Sequence, residues 1–526
     1  MHINVVLSLQ ENSKIGITSS SEFASEGGMP TFDSIPFKVE PGKQPSLNTF
    51  VVVLRHEDDS VAHYGRIISG NEWNRRANPA GMQKASAYGM ARTDIRTSEI
   101  SPEILRVMQI EILGEIHVGV GDNENGLKFS EPIQLPHTGQ PVYELPAQII
   151  PLLLDVPDYQ YDRSEGVHLG DIESGGQRVP FLLPNDAIAR HIAILGKTGV
   201  GKSYAAGVLM EELYEKNIPM LSFDVLGDTE QTAKDLKGVH IIAGDNDFKI
   251  PYSIVGLQEF LAFIPNLTSD QRDLIASAYG MMFDKAIQQL EDGKKLNVPF
   301  SDLTKAVKNI GKKISSKATD NAVNRVTTAY NRSNLLTDQP IRWPRMIADN
   351  PLLNIYVGHL GQEKRNLAVG AAARILQLLR RRNLVPPIVL IIDEAHLFLP
   401  SGRDLPSSTI VLREMIRTAR HDAMGVVLLT QSPSSMDKQI LLTCNTRVLF
   451  ALDPDDLRVV SGQLGDLPEE TIKRIPRLAR GTSVISSGMD IMRHPVIVRI
   501  RERKITSHKA ETPDLMKAVK AWRNQN

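Results

Sequence analysis

The chain has 526 residues, 41% of them hydrophobic and 23% charged, and 60 basic residues offset 61 acidic ones to a net charge of −1. This length exceeds one ordinary hydrophobic core and points to two or three domains, and the composition excludes a disordered or collagen-like chain. The single cysteine, Cys444, excludes an intrachain disulfide and a Cys-rich zinc site and fits a reducing cytoplasm.

The opening Met-His-Ile-Asn-Val-Val-Leu is too short an apolar run for a signal peptide. No run approaches the ~18 apolar residues of a membrane span, so a cytoplasmic protein without membrane contact is expected. The near-neutral charge leaves nucleic acid open as a partner, because basic groups can be confined to a channel.

Residues 1–165 read as mostly β. Val51 to Leu54, Gly65 to Ile68 and Leu105 to Ile116 are short strand candidates rich in Val and Ile. Turn residues separate them, as in Gly121-Asp122-Asn123-Glu124-Asn125-Gly126. Short strands with such signals suggest a small N-terminal β-barrel. Residues 18–48 and 71–100 are polar and are expected to be long loops. The second carries Arg75, Arg76, Lys84, Arg92 and Arg96. A solvated loop is the ordinary reading, and a site for a partner or for DNA entry is the sharper one. Leu154 to Tyr159 reads as a linker.

From about residue 166 strands alternate with helices, which implies an α/β domain with a parallel sheet covered by helices. Its first strand, Ile192 to Leu195, runs into Gly196-Lys197-Thr198-Gly199-Val200-Gly201-Lys202-Ser203. Gly196, Gly201, Lys202 and Ser203 fit the phosphate-loop pattern G-x-x-x-x-G-K-[ST]. The glycines let backbone N–H groups close around phosphate oxygens, and the helix that follows points its positive end at the same anion. Residues Gly196 to Ser203, with Tyr204 in the first turn, are the candidate nucleotide contacts. Lys202 would reach the terminal phosphates and the Ser203 hydroxyl would ligate Mg²⁺. A chance match would lack the strand before and the helix after.

Met220 to Val225 is the next strand and carries Asp224; Val239 to Ala243 is another. Residues 255 to about 345 read as a helical insertion, with Gln271 to Leu290 as one helix and Lys305, Lys308, Lys312, Lys313 and Lys317 following on a second. No aromatic residues are interleaved with these lysines, so a solvated face is favoured over a DNA contact. Leu353 to Val357 resumes the sheet, and Leu367 to Arg382 is a helix. Ile388 to Ile392 is a continuous apolar run, as a central parallel strand requires. It delivers Asp393 and Glu394 at its C-terminal end, where α/β sheets build their sites. Asp393 would hold Mg²⁺ through its water shell and Glu394 would polarise the attacking water. His396 reads as a coupling or packing residue. Ser408 to Asp422 is expected to be a helix bearing Arg413, Arg417 and Arg420 on one face. The next strand, Gly425 to Leu429, ends at Thr430-Gln431. Gln431 could sense the γ-phosphate or only cap the strand. Arg447 to Ala451, Ser483 to Ile485 and Val496 to Ile500 complete the strands. The tail from Arg501 is basic and polar, with a short helix expected from Pro513 to Trp522.

These motifs resemble the HerA-type branch of the HerA–FtsK DNA translocases. Arg190-His191-Ile192-Ala193-Ile194-Leu195-Gly196-Lys197-Thr198-Gly199 is similar to the family's lead into the phosphate loop, and Ile391-Ile392-Asp393-Glu394-Ala395-His396 to its acidic strand. Phe223-Asp224-Val225-Leu226-Gly227-Asp228 sits where the family has its second strand, without the usual Pro-x-Gly-Glu wording. Arg417-Thr418-Ala419-Arg420-His421 and Gly425 to Pro433 resemble its arginine helix, strand and glutamine. The resemblance spans roughly 166–505. Before it, only Tyr64-Gly65-Arg66-Ile67 and Thr138-Gly139-Gln140-Pro141-Val142 resemble the family barrel.

The resemblance implies a RecA-like P-loop ATPase core over 166–500, after the barrel of 1–165 and before a tail of 501–526. It implies a homohexamer that hydrolyses ATP with Mg²⁺ between subunits and moves double-stranded DNA through its pore. It favours Arg420, then Arg417, as the arginine acting on a neighbouring subunit's nucleotide. A partner nuclease of the NurA type, or another effector, would dock on the barrel face. The long barrel loops could mean an effector other than the usual nuclease, for example in an antiviral defence complex, and DNA end processing stays open beside it. Two alternatives remain: a conjugation-type DNA-pumping motor, and an ATP-regulated scaffold that assembles and activates an effector.

Overall fold

The computed structural model describes residues 3, 7–20, 28–55, 58, 60–74, 104–119, 126–245, 247–312, 316–402, 405, 407–461, 467 and 469–507. The chain divides into two compact units. The first comprises Met1–Leu183, Asp466–Arg474 and Gly488–Arg499; the second comprises Pro184–Gly465, Ile475–Ser487 and Ile500–Asn526.

The first unit is built on β1 (Lys14–Thr18), β2 (Ser34–Val39), β3 (Phe50–Leu54), β4 (Val61–Asn74), β5 (Ile104–Val118), β6 (Leu127–Ser130) and β7 (Pro141–Glu144). Antiparallel pairing runs β2-β1-β7-β3-β4-β5, and β5 pairs back onto β2. Six strands thus close into a barrel, which removes free edges from the circuit; β6 pairs with residues 115–118 of β5, beyond the stretch that β2 occupies. Alternate residues face inward, as the strand period of two dictates. Ile15, Ile35, Phe37, Val51, Val53, Ile67, Ile110, Ile112 and Val142 fill the interior. The barrel also buries an ion pair, Arg55 to Glu115 at 2.7 Å, and Glu115 accepts the N–H groups of Ile133 and Gln134 as well. The extra hydrogen bonds compensate for removing this pair from water.

One expectation is corrected here. Residues 18–48 are not a single long loop, because Ser34–Val39 forms the barrel strand β2. Pro36 and the polar residues on either side mask the Ile35/Phe37 alternation that buries it. Arg75, Arg76, Lys84, Arg92 and Arg96 lie outside the described residues, as do the turn Asp122 to Asn125 and the helix expected from Pro513 to Trp522. After the barrel, β8 (Gly166–Ser174) and β9 (Gln177–Pro184) lie side by side.

The second unit is a sheet covered by helices. Its strands are β10 (Ile192–Leu195), β11 (Met220–Asp224), β12 (Val239–Ile242), β15 (Leu352–Tyr356), β16 (Ile388–Ile392), β17 (Met424–Thr430), β18 (Thr446–Leu449) and β19 (Thr482–Ser486); β13 (Ile250–Pro251) and β14 (Leu336–Thr337) form a separate short parallel pair. The spatial order is β12-β15-β11-β16-β17-β10-β18-β19. Every neighbouring pair is parallel except β18 and β19. Both faces are covered, so β10, β11, β16 and β17 are buried at every residue. This is a RecA-like α/β core.

The helical insertion begins after β13 and ends before β14. Its main helices are Ser269–Glu291, Phe300–Gly311 and Ser316–Arg332. Aromatic rings hold it together: Phe300 stacks on Tyr330 at 3.9 Å and Phe260 on Tyr279 at 4.3 Å. Lys305, Lys308, Lys312 and Lys317 are exposed, and Lys313 lies outside the described residues. β20 (Val496–Ile500) returns to the first unit beside β8. Among the described residues no helix is long and apolar enough to cross a membrane.

Candidate nucleotide-binding site

The phosphate loop hangs from neighbouring strand ends. Register places Leu195 of β10 between Thr430 of β17 and Leu449 of β18. The next two N–H groups continue this: Gly196 donates to the Thr430 carbonyl at 3.3 Å and Lys197 to that of Ala451 at 2.9 Å. Gly199 and Gly201 have φ of +79° and +119°, a region that L side chains rarely adopt. The loop then turns into the helix Lys202–Glu215. Lys202 folds back across the loop, and its Nζ donates to the Lys197 carbonyl at 3.0 Å. Burial lowers the Lys202 pKa, while the carboxylates of Glu394, Asp393 and Asp228 draw it back up.

Those acids converge because β11, β16 and β17 are neighbours in the sheet. Asp224, fully buried at the end of β11, accepts the N–H groups of Gly227 at 2.7 Å and Thr229 at 3.0 Å. It fixes the turn that carries Asp228. Asp393 follows β16 directly, and Glu394 takes a left-handed conformation with φ of +46°. Such a conformation is costly for a side-chain-bearing residue and clusters at functional sites. Asp393 Oδ2 and Glu394 Oε2 are buried and have no hydrogen-bond partner among the described residues. Burial first, then the carboxylates of Glu394, Asp224 and Asp228, push the Asp393 pKa up to about 7. His396 Nδ1 lies 3.1 Å from Thr430 Oγ1 and 3.3 Å from Glu394 Oε2, tying the ends of β16 and β17 together. Gln431, one residue beyond β17, accepts from Thr198 Oγ1 at 2.5 Å.

A cavity of about 20 Å³, room for roughly one water, is lined by Ser203, Gly207, Ser222, Asp228, Thr229 and Asp393, among others. The donor set suits a hard cation of the Mg²⁺ kind, which takes oxygen ligands and keeps several waters. The unpartnered oxygen on Asp393 is the observation that fits it. The loop, the lysine and the acids thus lie together, as phosphate chemistry requires.

A family model described as "Helicase HerA, central domain" matches residues 167–357. The "DNA double-strand break repair helicase HerA" of Pyrococcus furiosus is 23% identical over 547 aligned residues, covering 92% of this chain and 93% of that protein. A "probable DNA double-strand break repair helicase HerA" of Methanocaldococcus jannaschii is 23% identical, covering 65% of this chain and 77% of its own length. Over these spans the chain is similar to HerA-type helicases. Among solved structures, VirB4 of Thermoanaerobacter pseudethanolicus superposes with a TM-score of 0.50 at 16% identity, over 64% of this chain and 97% of that one, a likeness of fold.

In the second unit the arginine segment divides in two. The helix Ser407–Ala419 holds Arg413 and Arg417, whereas Arg420 opens a 3₁₀ turn, Arg420–Asp422, rather than continuing the helix. Arg413 pairs with Asp437, and Arg417 Nη2 donates to Gln439 Oε1 at 2.6 Å. The Arg420 side chain is exposed and makes no hydrogen bond or ion pair among the described residues. Of the three, it is the one whose guanidinium no side chain among the described residues engages.

Sequence reasoning assigned no role to Arg501, Arg503 and Glu211. Arg501 donates to Glu211 Oε2 and Glu212 Oε1, each at 2.9 Å, and both carboxylates are fully buried on the phosphate-loop helix. The available signal was the Glu211-Glu212 pair in the otherwise apolar stretch 205–213, matched by Arg501-Glu502-Arg503. Buried carboxylates demand partners.

Proposed function

We propose that this chain assembles as a homohexamer that hydrolyses ATP with Mg²⁺ and drives duplex DNA through its central pore. An effector, a nuclease or another DNA-acting protein, would act with it from the barrel face, in DNA end processing or antiviral defence. The observation that carries the reading is the placement of Glu394 and of the unpartnered Asp393 oxygen beside the phosphate loop. Similarity to HerA helicases supports the DNA and the ring.

Phosphoryl transfer is mostly positioning and charge stabilisation. In this reading the N–H groups of Gly196 and Lys197 hold the loop to the strand ends, those of Thr198 to Tyr204 cradle the phosphates, and Lys202 unfolds from the Lys197 carbonyl to reach the terminal one. Mg²⁺ bound with the nucleotide neutralises phosphate charge. Ser203 would hold it directly, and Asp393 would do so through water. Glu394 polarises the attacking water, with His396 fixing its orientation. Gln431 exchanges its Thr198 contact for the γ-phosphate and reports its presence to β17. Arg420 reaches the nucleotide of the adjacent subunit. A cytoplasmic location goes with this reading.

The test is displacement of a triplex-forming strand from linear duplex DNA. The full chain should displace it with ATP and not with a non-hydrolysable analogue. ATP-independent displacement, or none despite DNA-stimulated hydrolysis, would point to the scaffold instead.

A further inference from the structure

Residues 501–507 are clamped onto the helix that begins the nucleotide site. Glu211 is fully buried. It accepts the N–H groups of Lys504, Ile505 and Thr506 at 2.7–3.1 Å and the Thr506 hydroxyl at 2.9 Å, besides Arg501. The segment is therefore anchored two turns into the helix. From that anchor Arg503 reaches back to the first turn. Its Nη2 donates to the Ser203 carbonyl at 2.5 Å and its Nε to the Tyr204 carbonyl at 3.2 Å. The guanidinium lies over the Tyr204 ring at 4.9 Å, and the Tyr204 hydroxyl accepts the Arg503 N–H at 2.9 Å. The helix makes room for it: a Cβ on Gly207 would sit 2.1 Å from Arg503 Cζ.

We propose that Arg503 is a positioning residue for nucleotide binding, acting through the first turn of the phosphate-loop helix. The peptide plane whose oxygen takes Nη2 carries the Tyr204 N–H at its other end. A cation on the oxygen polarises the plane and strengthens that N–H as a donor toward the helix N-terminus, where the phosphates bind. Two carbonyls held by one planar fork also fix the turn's orientation, which a lysine cannot do. The C-terminal segment thereby becomes part of the nucleotide site without touching nucleotide.

The inference rests on the loop being the ATP site, so Lys202→Ala is the control for that reading. Affinity for a fluorescent ATP analogue is measured on the full chain for Arg503→Lys, Gly207→Ala and the double variant, with melting temperature followed in parallel. Each single variant should bind about tenfold more weakly, the order of one lost charge-assisted hydrogen bond, while melting close to wild type. The double variant should bind no more weakly than either single one, because the alanine acts only by displacing the guanidinium. Wild-type affinity in folded Arg503→Lys overturns the inference, as does full additivity in the double variant. Should Gly207→Ala fail to fold, the lysine variant decides alone. If Lys202→Ala binds as wild type, the nucleotide reading itself has failed.

Discussion

Thr198 Oγ1 donates to Gln431 Oε1 at 2.5 Å, joining the middle of the phosphate loop to the residue just beyond β17. A phosphate entering the loop would compete for both partners, so the contact is suited to exchange on nucleotide binding. Gln431→Ala should lower kcat by about 10²-fold, as loss of a single transition-state donor does elsewhere. KM for ATP should change little. Steady-state hydrolysis over a range of ATP concentrations separates the two constants. An unchanged kcat would leave Gln431 as a strand cap.

Arg420 is the arginine of its segment whose side chain no described residue engages. Arg420→Ala should bind ATP and form rings but hydrolyse about 10³-fold more slowly, the order of an arginine finger. Mixed with Lys202→Ala subunits it should recover activity, because some interfaces then combine an intact pocket with an intact finger. Hetero-rings without recovery would place the arginine in cis or require every site to be intact. Normal turnover in Arg420→Ala alone would move the role to Arg417, whose bond to Gln439 must then open.

Glu211 gives the C-terminal clamp a pH dependence. Burial alone would raise its pKa, but the N–H groups of Lys504, Thr506 and Ile505, with Arg501, take it from 4.5 down to about 2. A carboxylate depressed on folding contributes stability above its unfolded pKa and loses it as pH falls through the folded one. Wild type should therefore exceed Glu211→Gln in stability at neutral pH, and the gap should close between 4.5 and about 2. Hydrogen exchange of peptides from the Lys202–Glu215 helix, compared between the two chains along that range, reads it. A gap that does not change with pH would mean that the carboxylate's charge is not what holds the clamp.

What was legible in the sequence was whatever depends on contiguous residues. Ile388 to Glu394 shows its strand and its acids in one run, and Gly196 to Ser203 shows its turn chemistry in the same way. The barrel was legible as strands but not as a circuit, since closure rests on β5 pairing back onto β2, distant in sequence. β2 itself was lost because Pro36 interrupts its pattern. The end of the arginine helix was misjudged by a few residues: Ala423, in the left-handed region with φ of +52°, follows a 3₁₀ turn that no glycine or proline announces. The role of Arg501 and Arg503 could not be read locally. Their partners lie nearly 300 positions away, Arg501 and Glu211 being separated by 290.

The most direct measurement is steady-state ATP hydrolysis by the full chain and by Glu394→Gln, each with linear duplex DNA and a separate nucleotide-binding titration. Glu394 is buried beside Asp393 and the loop, and its neutral amide should still fit there while polarising water poorly. The account predicts DNA-stimulated turnover in the wild type, and loss of about 10²-fold or more in Glu394→Gln with nucleotide affinity retained. Full turnover in Glu394→Gln, or a wild type that binds ATP and does not hydrolyse it with DNA present, would contradict it.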